Sequence, residues 1–192
     1  MLAVSLLIGA CSTPKLEERF HTLLPAQRAA PAPAATAIPV DVTPVAVPAQ
    51  VDHAQWVVRQ PDESLLMLEQ DRWAAPLGDE LRGAIVERLT SQWGAIDVRG
   101  VAQPAPAVWR LRVDVQRFES IPGREARLEA TWSLSASQRG VAPLVCRTAL
   151  VEGIGETALT ALAAAHRRAV ARLADEIGAR LKALHAGESA RC

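Results

Sequence analysis

Residues 109–116 read Trp-Arg-Leu-Arg-Val-Asp-Val-Gln, in which apolar and polar side chains alternate without interruption. Because successive side chains of a β-strand point to opposite faces, this stretch predicts a strand with one buried and one wet face. Residues 127–134 repeat the alternation, and residues 144–151 give a third stretch of strand character. A turn at residues 121–124, Ile-Pro-Gly-Arg, separates the first two. These segments predict a consecutive antiparallel meander.

Two segments with helical periodicity flank this meander. Before it, apolar residues recur every four positions from Leu77 to Trp93, which predicts an amphipathic helix that Gly94 ends. After it, the longest element runs from about Thr157 to Leu184, with Thr157 as its N-cap. The sequence therefore predicts an α+β fold: one mainly antiparallel sheet with two amphipathic helices packed on one face.

The first half of the chain contains shorter strand signals. Residues 20–25, Phe-His-Thr-Leu-Leu-Pro, predict a first strand that proline closes. Alternating valines in residues 40–47 predict an edge strand interrupted at Pro44. Residues 55–59 and 64–68 predict a hairpin with Pro-Asp in its turn. The expected order is strands, helix, strands, helix.

The overall composition limits the function classes. The chain has 192 residues with 21 basic and 21 acidic side chains, so its formal net charge is zero. This balance argues against a protein that mainly grips nucleic-acid phosphates, and we expect no nucleic-acid partner. The sequence contains no continuous apolar run of about 20 residues, so we expect neither an integral transporter nor a channel.

The N-terminus has the pattern of an export signal. Residues 2–10 form a short apolar run that ends in small residues, as in a signal peptide. Residues 8–11, Ile-Gly-Ala-Cys, resemble the bacterial lipobox, in which the cysteine is acylated, so Cys11 is the expected lipidation site. No Lys or Arg precedes it, which leaves open whether the start lies upstream or within the signal.

These features predict three parts of the chain. Residues 1–10 are the signal peptide of lipoprotein type, residues 11–19 are a polar tether, and residues 20–192 are a single domain. Within that domain, residues 26–37 are almost entirely Ala and Pro and predict a semi-rigid surface loop.

Residue types that carry chemistry are scattered. The cysteines and histidines have no spacing typical of a metal site, and no Gly-x-Ser-x-Gly motif marks a nucleophilic serine. Residues 153–155, Gly-Ile-Gly, lack the third glycine and the lysine of a phosphate-binding loop. Carboxylates at Glu119, Glu125 and Glu129 fall on or near wet strand faces. The sequence therefore predicts no enzyme, no metal and no cofactor.

The densest candidate for a binding site is Asp71, Arg72 and Trp73, which lead from a strand into the first helix. Asp71 and Arg72 can pair, and Trp73 offers a flat apolar anchor for a partner. The alternative is structural: Trp73 fills the gap between helix and sheet while Arg72 caps strand carbonyls. The sequence leaves both interpretations open.

Cys146 and Cys192 present a second open question. In an oxidising periplasm they can form a disulfide. Alternatively, Cys192 is a free terminal thiol and Cys146 is a small buried residue.

The order of these motifs resembles a known family. It comprises the lipobox cysteine, Phe-His-Thr-Leu-Leu-Pro at 20–25, Gln-Trp-Val-Val-Arg at 55–59, Asp-Arg-Trp-Ala-Ala-Pro-Leu-Gly-Asp-Glu-Leu at 71–81, and an alanine-rich last helix. This order is similar to that of the PqiC (YmbA-like) family, the ABC-type transport auxiliary lipoproteins. The resemblance extends over nearly the whole mature chain.

The resemblance implies a function. Members are outer-membrane lipoproteins that face the periplasm, anchored by acyl chains, and work with an MCE-domain protein of the inner membrane. Such systems move phospholipid or other hydrophobic molecules between the membranes and support envelope integrity. The resemblance also suggests a homo-oligomer, and a non-acidic Ser12 favours sorting to the outer membrane. The rival interpretations are a lipoprotein that scaffolds a β-barrel and a periplasmic lipid carrier.

Overall fold

A computed structural model describes residues 17–26, 37–101, 107–137 and 142–192. In these ranges the chain forms eight strands and two helices: β1 Arg19–His21, β2 Ile38–Val42, β3 Gln55–Arg59, β4 Leu65–Trp73, α1 Leu77–Trp93, β5 Ala95–Asp97, β6 Trp109–Ile121, β7 Glu125–Ala136, β8 Leu144–Gly153 and α2 Leu159–His185.

The larger sheet has the strand order β5-β2-β6-β7-β8. Its main part is the antiparallel meander β6-β7-β8 that the alternation predicts. On β6, Leu111 and Val113 are buried whereas Arg110 and Arg112 are exposed. The alternating pattern thus gives the sheet one face for the core and one for solvent.

The smaller sheet has the order β1-β4-β3. The predicted hairpin is confirmed as the antiparallel pair β3 and β4. β1 lies parallel to the end of β4, with Arg19 opposite Asp71 and His21 opposite Trp73. The first strand of the chain is therefore held at the edge of this sheet.

The α+β class with two helices is confirmed, but the sheet structure is more mixed than predicted. The strands form two sheets, and β1 and β2 make parallel pairs with strands that come later in the chain. β2 is also interior and not an edge strand, because β5 pairs with its other side. A three-residue strand such as β5 is too short to show a period in the sequence.

The two helices cover the buried face. α1 ends at Gly94, whose left-handed φ of 66° favours glycine, as predicted. α2 begins after Ala158, which has no side-chain cap, so the prediction of Thr157 as N-cap is wrong. α2 lies on β7 and β8 and packs against α1. Leu81, Leu128 and Leu173 are fully buried in the core.

Candidate docking surfaces

Asp71, the first residue of the predicted binding site, lies inside the protein. Its carboxylate accepts a hydrogen bond of 2.6 Å from Arg19 Nη2 and lies 2.8 Å from His21 Nε2. A buried carboxylate is stable only when its oxygens have such partners. Asp71 therefore fastens β1 to β4, and its environment is that of a structural residue.

Trp73 is only 4% exposed. Its indole packs against the indole of Trp56, with ring centroids 4.5 Å apart, and against Phe118 at 5.9 Å. The expectation of an exposed Trp73 anchor is therefore wrong. The alternation of β4 turns Trp73 to the same side as Asp71, toward the core, so it fills the space between sheet and helix as the alternative interpretation holds.

Arg72 points to the opposite side of β4 and reaches the surface. Its Nη2 pairs with Glu18 Oε1 at 3.0 Å, and its buried Nε has no partner among the described residues. Arg72 and Glu18, together with Met67 and Gln70, line an open cleft of about 500 Å³, which we call the proximal cleft. The role of Arg72 in partner binding stays a prediction.

A buried polar chain joins the two sheets and α2. Trp56 Nε1 donates to Ser120 Oγ at 2.7 Å, and Ser120 Oγ lies 2.8 Å from Nε2 of His166. The ring of His166 stacks on Phe118 with centroids 4.0 Å apart. Complete burial lowers the pKa of His166 to about 3, so the ring is neutral at physiological pH. Sequence reasoning missed this chain, since no spacing relates Trp56, Ser120 and His166.

The segment after β1 is fastened to both helices. The carboxylate of buried Glu80 in α1 accepts hydrogen bonds of 2.7 Å from Thr22 Oγ1 and from the backbone N–H of Leu23. Arg167 of α2 donates to the carbonyl oxygen of Thr22 at 3.1 Å. These hydrogen bonds fix residues 22 and 23 to α1 and α2.

A second cleft lies at one end of the larger sheet. It has a volume of about 530 Å³, and we call it the distal cleft; its lining includes Asp41, Val98, Arg99, Val108, Arg110 and Ala136. Arg99 and Arg110 both pair with Asp41, at 3.3 and 3.2 Å. Two guanidinium groups share one carboxylate, so the cleft has an excess positive charge beside the half-buried side chains of Val98, Val108 and Ala136.

The two clefts lie at opposite ends of the molecule. β7 has 12 residues, and at ~3.4 Å per step its ends are about 37 Å apart. Ala136 at one end borders the distal cleft. Phe118, which packs on Trp73 beside β1, lies opposite Leu128, eight steps of β7 and about 27 Å from Ala136. The chain thus enters the fold at the end remote from the distal cleft.

The cysteines have separate positions. Cys146 of β8 is buried and forms a disulfide with Cys192, with Cα atoms 5.4 Å apart, so the structure contains the bond that the sequence left open. Cys11 and the signal peptide lie outside the described residues, as do residues 27–36 of the Ala/Pro-rich loop and all but residues 17–19 of the tether.

The described ranges contain neither a cluster of metal-binding side chains nor a helix that could span a membrane. No group of three or more His, Cys, Asp or Glu side chains there is placed to hold a metal ion. No helix of those ranges is both long and apolar enough to cross a bilayer.

The fold places the protein in the class of α+β domains, with two mixed sheets covered by two helices. The chain belongs to the family of ABC-type transport auxiliary lipoprotein components, whose family model matches residues 21–178. The resemblance inferred from the motifs is thereby confirmed. The family assigns the chain to the lipoproteins of the cell envelope and to transport, as an auxiliary component.

Solved structures show the same fold. The chain is similar to an uncharacterized protein, with 19% identity, a TM-score of 0.69, and coverage of 86% of this chain and 99% of that one. It is also similar to a protein of the DUF330 family from Xanthomonas campestris, with 24% identity, a TM-score of 0.61, and coverage of 83% and 92%. A comparison with curated proteins finds no significant match.

Proposed function

We propose that this chain is the outer-membrane lipoprotein of an MCE-type intermembrane transport system. In this proposal Cys11 carries the acyl chains, and the domain docks the periplasmic MCE component at the outer membrane. Phospholipid or another hydrophobic molecule is the cargo, and several copies form a small symmetric assembly. Family membership supports the transport role, and the motif resemblance supports the MCE partner and the outer membrane.

The distance between β1 and the distal cleft supports the docking part of this proposal. The lipidated segment enters at β1, beside Trp73 and Phe118, whereas the distal cleft lies about 27 Å away along β7. A protein that crosses the periplasm reaches an outer-membrane lipoprotein from the side remote from the bilayer. The distal cleft is a cavity of the described residues on that side.

The chemistry of the distal cleft indicates what it would hold. Arg99 and Arg110 retain hydrogen-bonding capacity beyond the single carboxylate of Asp41. The apolar side chains of Val98 and Val108, which line the cleft, can pack against an aliphatic side chain of a partner. The cleft therefore suits a partner segment that combines a carboxylate with apolar residues, since opposite charges guide such an encounter.

Site-specific photo-cross-linking in intact cells tests the proposal. A benzoylphenylalanine at Ser137, which is exposed at the distal cleft, is expected to capture an MCE-domain protein from the lipidated full chain. The matched control is the same group at Arg124, exposed at the opposite end of β7, which should capture none. Recovery of only outer-membrane barrel proteins from Ser137 would support the scaffold instead. Lipid retained by the purified protein, without an MCE partner, would support the carrier.

Charge reversal gives a second test of the same surface. The double variant Arg99→Glu/Arg110→Glu is expected to lose MCE capture. The double variant Arg112→Glu/Arg147→Glu makes the same charge change on the exposed face of the same sheet and should keep it. Equal losses from both would show that general charge, and not the distal cleft, governs capture.

A further inference from the structure

The start of β4 carries an exposed apolar stretch. Leu65, Leu66 and Met67 are 47%, 46% and 44% exposed, although they are consecutive. Neighbouring residues of a strand point to opposite faces, so β4 is exposed on both faces here, although its β3 partners Val57 and Val58 are buried. We call Leu65–Met67 the hairpin tip. An exposed apolar segment of this kind is typical of an interaction site.

The direction of β1 brings the N-terminal segment toward this hairpin tip. β1 is parallel to β4, and Arg19 lies opposite Asp71, so the chain before Arg19 runs back along β4 toward its first residue. Glu18 confirms this direction, because it lines the proximal cleft together with Met67.

The length of chain between Cys11 and Glu17 limits how far the acyl chains on Cys11 can lie from Glu17. The two positions are six steps apart along the chain, and six steps span at most about 21 Å when fully extended. From Asp71 back to Leu65 is also six residues of strand, about 20 Å. The hairpin tip therefore lies within reach of any bilayer that holds Cys11.

The charges around the hairpin tip indicate which lipid it suits. The turn before it contains Asp62 and Glu63, and Glu69 follows it. Hydrogen bonds from Ser64 hold the pKa of Asp62 below its ordinary value, so this carboxylate is ionised at neutral pH. Arg59 is already paired with Glu63 and Glu119. The excess negative charge disfavours an anionic lipid surface.

We propose that the hairpin tip inserts into the headgroup region of the zwitterionic bilayer that holds the acyl chains of Cys11. This inference rests on the lipidation in the proposed function. Three half-exposed apolar side chains add membrane affinity to the acyl chains. The contact also fixes the orientation of the domain, with the distal cleft turned away from the membrane.

Spin-label depth measurements on the lipidated full chain test this orientation. A nitroxide at Ser64→Cys, beside the hairpin tip, is expected to gain contact with membrane-dissolved oxygen in phosphatidylethanolamine–phosphatidylcholine vesicles and to lose contact with an aqueous nickel reagent. The control label at Gln116→Cys, exposed on the larger sheet, should stay aqueous. A Ser64 label that is as aqueous as the Gln116 label would overturn the proposal.

A vesicle-flotation assay isolates the hairpin tip from the acyl chains. In the unlipidated Cys11→Ser chain, replacing Leu65, Leu66 and Met67 by Ser is expected to lower binding to these vesicles by about tenfold or more. The matched control Val145→Ser/Val151→Ser removes two exposed apolar residues of β8 and should leave binding unchanged. Added phosphatidylglycerol should weaken binding of the Cys11→Ser chain.

The results separate this inference from the proposed function. Unchanged flotation by the triple variant would overturn the inference. Loss of MCE capture by that variant with flotation intact would show in addition that the hairpin tip docks protein. Hairpin-dependent flotation would support it even if cross-linking from Ser137 captured no MCE protein, a result that would contradict only the docking role.

Discussion

The ring centroids of Trp56 and Trp73 lie 4.5 Å apart, and both indoles are buried. Trp56 is also hydrogen-bonded to Ser120 of the larger sheet. This pair is therefore part of the contact that holds the two sheets together. Aromatic pairs at this separation contribute beyond the area they bury.

Replacing Trp73 by Ala is expected to destabilise the fold by about 3–5 kcal/mol, because it removes a buried indole and leaves a cavity. Urea unfolding measures the loss. The matched control is Phe20→Ala, which removes an aromatic ring that is 62% exposed on the neighbouring strand and should cost less than about 0.5 kcal/mol. Equal costs for the two variants would contradict the buried position of Trp73.

Much of the fold follows from local patterns. The alternation of β6 and β7 and the four-residue period of α1 predict these elements because one face of each is buried. The pairings of β1 and β2 do not follow, since both strands pair across long stretches of chain. Local patterns also do not predict that Trp73 faces the core, because the register of β3 and β4 shifts between Gln55 and Trp56. Such an irregularity changes which residues face the core.

The candidate surfaces were harder to predict than the fold. The sequence indicated residues 71–73, of which only Arg72 reaches the surface. The distal cleft instead combines Asp41 of β2 with Arg99 and Arg110. These residues are adjacent because β2 lies beside β6, and no local pattern contains that information. The disulfide between Cys146 and Cys192 also depends on where the tail after α2 returns.

The contact between the two helices yields a prediction that runs against helix propensity. A Cβ on Gly178 of α2 would overlap the indole ring of Trp93. That indole is held by a 2.9 Å hydrogen bond to Asp175, which Arg88 also binds. Gly178→Ala is therefore expected to cost about 1–3 kcal/mol in thermal or urea unfolding.

A second helical glycine supplies the control for Gly178. Among the described residues, a Cβ on Gly83 of α1 would meet only Leu24, at an ordinary contact distance of 3.4 Å. Gly83→Ala is expected to stabilise the protein by about 0.5–1 kcal/mol, because alanine loses less backbone entropy on folding. If Gly178→Ala stabilised the protein by as much, the helices could not be packed as closely as they are here.

The disulfide should contribute to stability as well. It closes a loop between residues 46 positions apart, and loop closure of this size typically stabilises by about 2–4 kcal/mol. Cys192→Ser is expected to lower the free energy of unfolding by that amount and to make it independent of reductant. The wild-type protein in reductant should match the variant. Alkylation of two thiols in the native, unreduced domain would contradict the bond.

His166 should make stability depend on pH. Its pKa is about 3 in the fold and ordinarily about 6.5. Between these values the unfolded chain binds one more proton than the folded protein, so stability falls as pH falls below 6.5. Between pH 7 and 5 this loss amounts to about 2 kcal/mol, and it continues until the pH falls through the folded pKa of about 3. Urea unfolding at several pH values measures the loss.

The variant His166→Gln isolates this contribution from the other histidines. Glutamine does not titrate and retains a polar partner for Ser120, so the variant should be less stable at pH 7 but lose about 2 kcal/mol less between pH 7 and 5. Carboxylates titrate mainly below this window, and His21, His53 and His185 are present in both proteins. Parallel stability curves for the two proteins across the window would show that His166 is not buried in its neutral form.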